Sequence, residues 1–204
     1  MGGTMNMTLF NELFRLTLVD PRGAGHRVIA LGLPPQVLWT ALALVAVLFS
    51  LSMSAILHSA PMPPDPTGAA IRALPHYSAP LMAALMQWGQ MVITVFILFW
   101  VGQALGGKGR LVDMLAVMIW LNLVAVVISV VIFVLALVLP PLASLAVLVM
   151  LFWVFWATFG MIDAAHRFDN YFMGMLVFIL AVVAMAIGMS VFSAVLGLTA
   201  MGVS

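Results

Sequence analysis

The feature that most constrains this chain is a set of long stretches without a charged side chain. The longest runs from Met114 to Ile162, and as one continuous helix it would extend about 70 Å at about 1.5 Å per residue. A bilayer core of about 30 Å needs only about 20 helical residues. The stretch therefore has to fold back on itself. Pro140-Pro141, near its middle, marks the break because consecutive prolines interrupt the helical hydrogen-bond ladder.

Measured in the same way, the other uncharged stretches predict an all-α fold, a polytopic membrane helix bundle of five transmembrane helices. The predicted spans cover roughly 35–57, 80–105, 111–139, 142–162 and 171–198. The corresponding domain division is a cytoplasmic leader over 1–34, followed by a single transmembrane domain over 35–204.

Composition excludes the soluble classes of protein. Charged residues make up 6% of the chain and hydrophobic residues 66%, which leaves too few polar side chains to cover a water-soluble fold. A formal net charge of +1 offers no basic surface for nucleic acid, and the absence of cysteine removes disulfides and thiolate metal sites. Hydrolase motifs such as Gly-x-Ser-x-Gly are missing. We expect neither an enzyme nor a bound cofactor, and membrane lipids as partners.

The distribution of cations predicts the orientation, because cytoplasmic loops hold an excess of Lys and Arg. Arg72 is the single cation on one side of the predicted bundle. The cations on the other side are Arg15, Arg22, Arg27, Lys108, Arg110 and Arg167. This imbalance predicts a cytoplasmic N-terminus and a C-terminus on the opposite side of the membrane.

The leader carries the pattern of a short amphipathic helix that ends at Asp20-Pro21. Its apolar positions are Met7, Leu9, Phe10, Leu13, Phe14 and Leu18, and its polar positions are Thr8, Asn11, Glu12 and Arg15. Such a helix lies in the cytoplasmic interface of the membrane or docks against the cytoplasmic face of the bundle, and the pattern fits both.

Few polar side chains fall within the predicted spans. Span two carries Gln87 and Gln90, and span three carries Asn122. Because amides in hydrocarbon seek partners, hydrogen bonds between helices are the favoured role, and a polar path for a solute is the alternative. Span five contains small residues at a spacing that allows helix packing inside the bundle or dimerisation. These are Ala184, Gly188, Ser193 and Gly197.

The remaining charges gather at the cytoplasmic ends of spans three and four. The candidate cluster consists of Asp163, His166, Arg167, Asp169, Asp113 and Lys108. Carboxylates and an imidazole can bind a divalent metal or relay protons. The favoured alternative is a hydrated loop with ion pairs between near neighbours in sequence, since topology already explains the cations. We therefore expect no metal site.

Three segments carry a family resemblance. They are Leu18-Val19-Asp20-Pro21, Gly106-Gly107-Lys108-Gly109-Arg110-Leu111, and Trp156 followed by His166-Arg167-Phe168. Together they resemble the bacterial branch of the YIP family of Ypt-interacting membrane proteins. The resemblance implies five spans, a cytoplasmic N-terminus and a short exposed C-terminus. Eukaryotic members bind prenylated small GTPases through a long N-terminal region. We expect no GTPase binding here, because that region is missing.

The sequence supports two main hypotheses of function. The favoured one is a non-enzymatic inner-membrane protein that organises the membrane or binds lipid or membrane-protein partners, as a homo-oligomer or as an accessory subunit of a larger complex. The alternative is a small transporter or channel with a polar path past Gln87, Gln90 and Asn122. An intramembrane enzyme that uses Asp163 and His166 ranks third.

Overall fold

The computed structural model describes residues 7–59 and 66–201, with side-chain exposure up to residue 194. Within these residues the chain is helical and contains no strand, so the predicted all-α class is confirmed. The helices are α1 (Met7–Val19), α2 (Pro21–Ala30), α3 (Pro35–Ser59), α4 (Pro66–Ala73), α5 (Pro75–Ser78), α6 (Pro80–Ala104), α7 (Leu111–Val138), α8 (Pro140–His166) and α9 (Tyr171–Met201).

Five of the described helices are long and apolar enough to cross a membrane, as predicted: α3, α6, α7, α8 and α9. Three of them begin at a proline, namely Pro35, Pro80 and Pro140, where the missing backbone N–H leaves no hydrogen bond unmade. Leu139 alone separates α7 from α8, so the chain reverses where the prolines predicted. Helix α8 continues to His166, beyond the predicted end near Ile162.

The buried core is concentrated near one end of the bundle, which we call the charged end because it contains Asp113, Asp163 and His166. Every residue of α7 from Asp113 to Leu121 is buried. In α8, burial resumes at Ala157 and, except at Phe159, continues through His166. Toward the other end, the fully described α7 has no buried residue after Val126. The tertiary structure is therefore held together mainly at the charged end.

The amphipathic leader helix is present as α1, and it is docked on the bundle. Leu13 and Thr17 are buried. The indole Nε1 of Trp120, on α7, donates a hydrogen bond of 2.8 Å to Thr17 Oγ1. Phe10 meets the same indole edge-on, with ring centroids 5.5 Å apart. Of the two expected placements, the structure therefore shows the docked one, although Met7 and Val19 remain exposed.

A second short helix, α2, follows where the leader pattern ends. Asp20 caps it, since Asp20 Oδ1 accepts a 2.9 Å hydrogen bond from the backbone N–H of Gly23. Pro21 occupies the first helical position, which its fixed φ angle favours. Helix α2 packs against α8 and α7. The amphipathic pattern does not predict this helix, because Asp20-Pro21 ends that pattern and also begins α2.

Candidate functional site

The carboxylate of Asp163 links α8 to α2. It is fully buried, and its Oδ2 lies 3.1 Å from the Nε of Arg22. Its Oδ1 accepts a 3.0 Å hydrogen bond from the backbone N–H of Asn170, in the connection to α9. The same Arg22 also forms an ion pair with the exposed Asp169. One arginine thus joins the leader region to the last turn of α8 and to the connection that follows it.

Arg22 explains why α8 extends past its predicted end. A buried carboxylate is tolerated when a cation and hydrogen bonds compensate for lost water, and Arg22 and Asn170 supply these to Asp163. Sequence reasoning counted Arg22 only as a cation that sets topology. The available signal was its position next to the Asp20-Pro21 helix start, but several cations could equally have served as the partner.

A second buried carboxylate, Asp113, is shared by two arginines. Its Oδ1 lies 3.0 Å from Nη2 of Arg110, and its Oδ2 lies 3.4 Å from Nη2 of Arg167. Arg167 adopts the left-handed conformation that ends α8, with φ of 59°. The hydrogen bond to Asp113 and the negative charge of that residue raise the pKa of Arg110, which stays cationic. The three side chains together carry one net positive charge.

The imidazole of His166 is enclosed by backbone. A Cβ added to Gly102 would lie 2.1 Å from its Nε2, and a Cβ added to Gly107 would lie 2.5 Å from its Nδ1. Nε2 lies 3.2 Å from the carbonyl oxygen of Leu98. Nδ1 is buried without a hydrogen-bond partner among the described residues. The glycine-rich connection between α6 and α7 therefore accommodates the end of α8.

Backbone hydrogen bonds fix the same connection. The N–H of Lys108 donates to the carbonyl oxygen of His166 over 2.9 Å. The side-chain Nε2 of Gln103 donates to the carbonyl oxygen of Gly109 over 2.8 Å. Gly109 has no room for a side chain, because an added Cβ would lie 2.0 Å from the carbonyl oxygen of Ala165. Lys108 itself is exposed, so it joins the cluster through its backbone.

All six residues of the candidate cluster thus lie at the charged end, but in separate arrangements. Asp163 and Asp169 share Arg22, whereas Asp113 pairs with Arg110 and Arg167. The ion pairs differ from the favoured expectation, because most join distant segments and two of the carboxylates are buried. Among the described residues, no group of three His, Cys, Asp or Glu side chains could hold a metal ion. The arrangement can tie helix ends together electrostatically.

The intramembrane amides do come together. Gln87, Gln90 and Asn122 line one cavity of 150 Å³ between α3, α6 and α7. Asn122 Nδ2 also donates a 2.8 Å hydrogen bond to the carbonyl oxygen of Met118 in its own helix. A second cavity of 230 Å³ shares Thr94, Met118 and Asn122 with the first. The expected hydrogen bonds between helices through these amides are replaced, for Asn122, by a bond within one helix.

The small residues of α9 face outward in the described part of the helix. Ala184, Gly188 and Ser193 are exposed, and nothing lies within 4 Å of a Cβ added to Gly188. The surroundings of Gly197 lie outside the described residues. Of the two roles expected for this spacing, packing inside the bundle does not apply to Ala184, Gly188 or Ser193.

The five apolar helices, joined at a charged end, define a multi-pass helical membrane protein. A family model, that of the Yip1 domain, matches residues 15–200. The chain therefore belongs to the Yip1 family, which confirms the resemblance to the YIP family, whereas its bacterial branch stays a prediction. No curated protein and no solved structure matches it.

Proposed function

We propose that this chain is a non-enzymatic membrane protein that organises the membrane by binding membrane-protein and lipid partners. It acts as a homo-oligomer or as an accessory subunit of a larger complex. Its location is the bacterial inner membrane, with the charged end cytoplasmic and the C-terminus periplasmic. The observation that carries the proposal is the outward placement of the small residues on α9.

Helix α9 uses its glycines in two different ways. Gly174 packs inside the bundle, since an added Cβ there would lie 2.2 Å from the carbonyl oxygen of Phe159 on α8. Gly188 has open space around it, and Ala184, one turn earlier, is exposed as well. Small residues four positions apart let two helix backbones approach closely within a membrane. The second half of α9 therefore offers a helix-packing surface to another chain.

Self-association tests this proposal directly. We expect Gly188→Leu to weaken association of the purified protein by about tenfold, because loss of close packing removes dispersion contacts and hydrogen bonds on the order of 1–2 kcal/mol. The matched control is Gly89→Leu, on α6, where an added Cβ also meets open space. Association is measured by single-molecule photobleaching in liposomes and by cross-linking in native membranes.

Three results bear on the proposal in different ways. Weaker association or loss of a co-purifying membrane protein in Gly188→Leu alone supports it. Equal behaviour of both variants and the unmodified protein contradicts the role of α9. A monomer that co-purifies with no membrane protein from its native membrane contradicts the proposed function as a whole.

A transporter or channel is the second candidate function, favoured by the one cavity that Gln87, Gln90 and Asn122 share. Asn122 lies 11 residues into α7, about 16 Å along the helix, which places it near the bilayer midplane where transporter sites occur. We expect solute flux in proteoliposomes to be abolished by Asn122→Leu. Ser129→Ala is the control, because Ser129 Oγ bonds to the carbonyl of Val126 in its own helix. Absence of flux with any tested solute contradicts this candidate.

A further inference from the structure

We propose that a groove between α2, α3 and α7 binds one anionic glycerophospholipid, with an acyl chain along α3 and the phosphate at Arg110. Two adjoining cavities form this groove, and both are lined by Val28, Leu38 and Ala116. The inference rests on the lipid part of the proposed function and gives it a location and a lipid class.

The larger of the two cavities suits an acyl chain. Its volume is 460 Å³, and its lining consists of apolar residues that include Ala41, Leu44 and Leu48 of α3 and Ile119 of α7. The polar N–H of Trp120, which also contributes to the lining, is already bonded to Thr17. Leu44 and Leu48 are exposed, so the cavity opens sideways toward lipid.

The length of the groove distinguishes a lipid from a partner helix. Its lining on α3 runs from Val37 to Leu48, which is about 16 Å at about 1.5 Å per residue. This is close to half of the hydrocarbon thickness of about 30 Å. A transmembrane helix of another protein would need a packing surface across the whole bilayer, whereas an acyl chain occupies one leaflet.

The other cavity provides a site for a headgroup. Its volume is 320 Å³, and its lining includes Pro34, Pro35 and Arg110, at the membrane-entry ends of α3 and α7. The side chain of Arg110 is 71% exposed. Because Arg110 and Arg167 share the single carboxylate of Asp113, one positive charge remains uncompensated there. A phosphate complements that charge and the planar donors of a guanidinium.

Lipid selectivity is the measurement that tests this site. The full chain is reconstituted in vesicles of equal parts phosphatidylglycerol and phosphatidylethanolamine, and retained lipids are counted by native mass spectrometry after gentle detergent extraction. We expect phosphatidylglycerol to be retained about tenfold over phosphatidylethanolamine, the value of one charge-assisted contact. Arg110→Gln should abolish the preference. Lys108→Gln, which removes an exposed cation two residues away, should leave it unchanged.

The acyl-chain cavity is tested by filling it. Ala41→Leu should lower the retention of both lipids several-fold, whereas Ala43→Leu, on the same helix but outside the lining, should not. A phosphatidylglycerol with a photoreactive acyl chain gives a second measurement on the unmodified protein. Its cross-links should map to 37–48 on α3 and to 119–123 on α7.

The inference is overturned by equal retention of the two lipids, by an equal effect of Lys108→Gln and Arg110→Gln, or by cross-links spread over all lipid-facing helices. Self-association is measured on the same samples. If the unmodified protein self-associates but retains both lipids equally, the lipid groove is contradicted and the role of α9 is not. If the unmodified protein prefers phosphatidylglycerol but does not self-associate, the role of α9 is contradicted and the lipid groove is not.

Discussion

The imidazole of His166 occupies the space that a side chain at Gly102 would need, since a Cβ on Gly102 would lie 2.1 Å from Nε2. The two residues belong to α8 and α6, so this contact brings two spans into close approach at the charged end. Gly107 and Phe99 also enclose the ring. Neither the ring nor the backbone of α6 therefore has space to move.

The close approach predicts that two substitutions on α6 change the free energy of unfolding in opposite directions. Gly102→Ala should lower the free energy of unfolding by about 1–3 kcal/mol through overpacking. Gly89→Ala, in open space on the same helix, should raise it by up to about 1 kcal/mol because alanine is the better helix former. Thermal unfolding in detergent measures both. A Gly102→Ala protein as stable as the unmodified chain would contradict this packing.

The two acids that share Arg22 should differ in their contribution to stability. Asp163 is fully buried, whereas the side chain of Asp169 is 81% exposed. Asp163→Ala should destabilise the protein by about 1–3 kcal/mol, because Arg22 and the backbone N–H of Asn170 both lose a buried acceptor. Asp169→Ala should cost less than about 1 kcal/mol. A double-mutant cycle with Arg22→Ala measures each coupling, and equal couplings would refute the assignment.

Docking of α1 should depend on the hydrogen bond between Trp120 and Thr17. Thr17→Val keeps the shape of the side chain and leaves the buried indole N–H without its acceptor, at a cost of about 1–3 kcal/mol. Amide hydrogen exchange over Met7–Val19 should therefore become faster by about tenfold or more. Trp100→Phe, on an exposed side chain, serves as the control. Unchanged exchange in Thr17→Val would show that α1 is held elsewhere.

The absence of cysteine from the sequence makes orientation directly measurable. Lys108→Cys and Ser78→Cys each place one thiol at an opposite end of the bundle. A membrane-impermeant maleimide on intact spheroplasts should label Ser78→Cys and spare Lys108→Cys, because we propose that the cation-rich end faces the cytoplasm. Disruption of the membrane should expose both. The reverse labelling pattern would overturn the proposed orientation.

Hydropathy predicted the spans because a lipid core of nearly constant thickness fixes how long an apolar helix has to be. Pro140 located the tight reversal for an equally local reason, since proline cannot continue the helix before it. The amphipathic pattern of α1 likewise needed only the sequence. What covers its apolar face did not follow, because an apolar face packs equally well on lipid or on protein.

The partners of the candidate site could not be predicted for the same physical reason. The charge of Asp163 is compensated by Arg22, which lies in α2. The sequence around Asp163 does not indicate which of the cations at that end is its partner. The positions around His166 need glycine because a side chain there would overlap the ring. This need becomes visible only when α6 and α8 are packed together. The sequence shows that Gln87, Gln90 and Asn122 are polar. It does not show that they share a cavity, because the cavity depends on how α6 and α7 pack.

The uneven distribution of burial along α7 and α8 has a consequence for bilayer thickness. The separate contacts of Asp113, Asp163 and His166 hold the helices together at the charged end, whereas no residue of α7 after Val126 is buried. Adjustment to a thicker or thinner membrane, by helix tilt or local lipid deformation, therefore falls on the opposite leaflet. The charged end therefore keeps its helix packing in one leaflet, and the helices in the other leaflet adjust to the thickness of the bilayer.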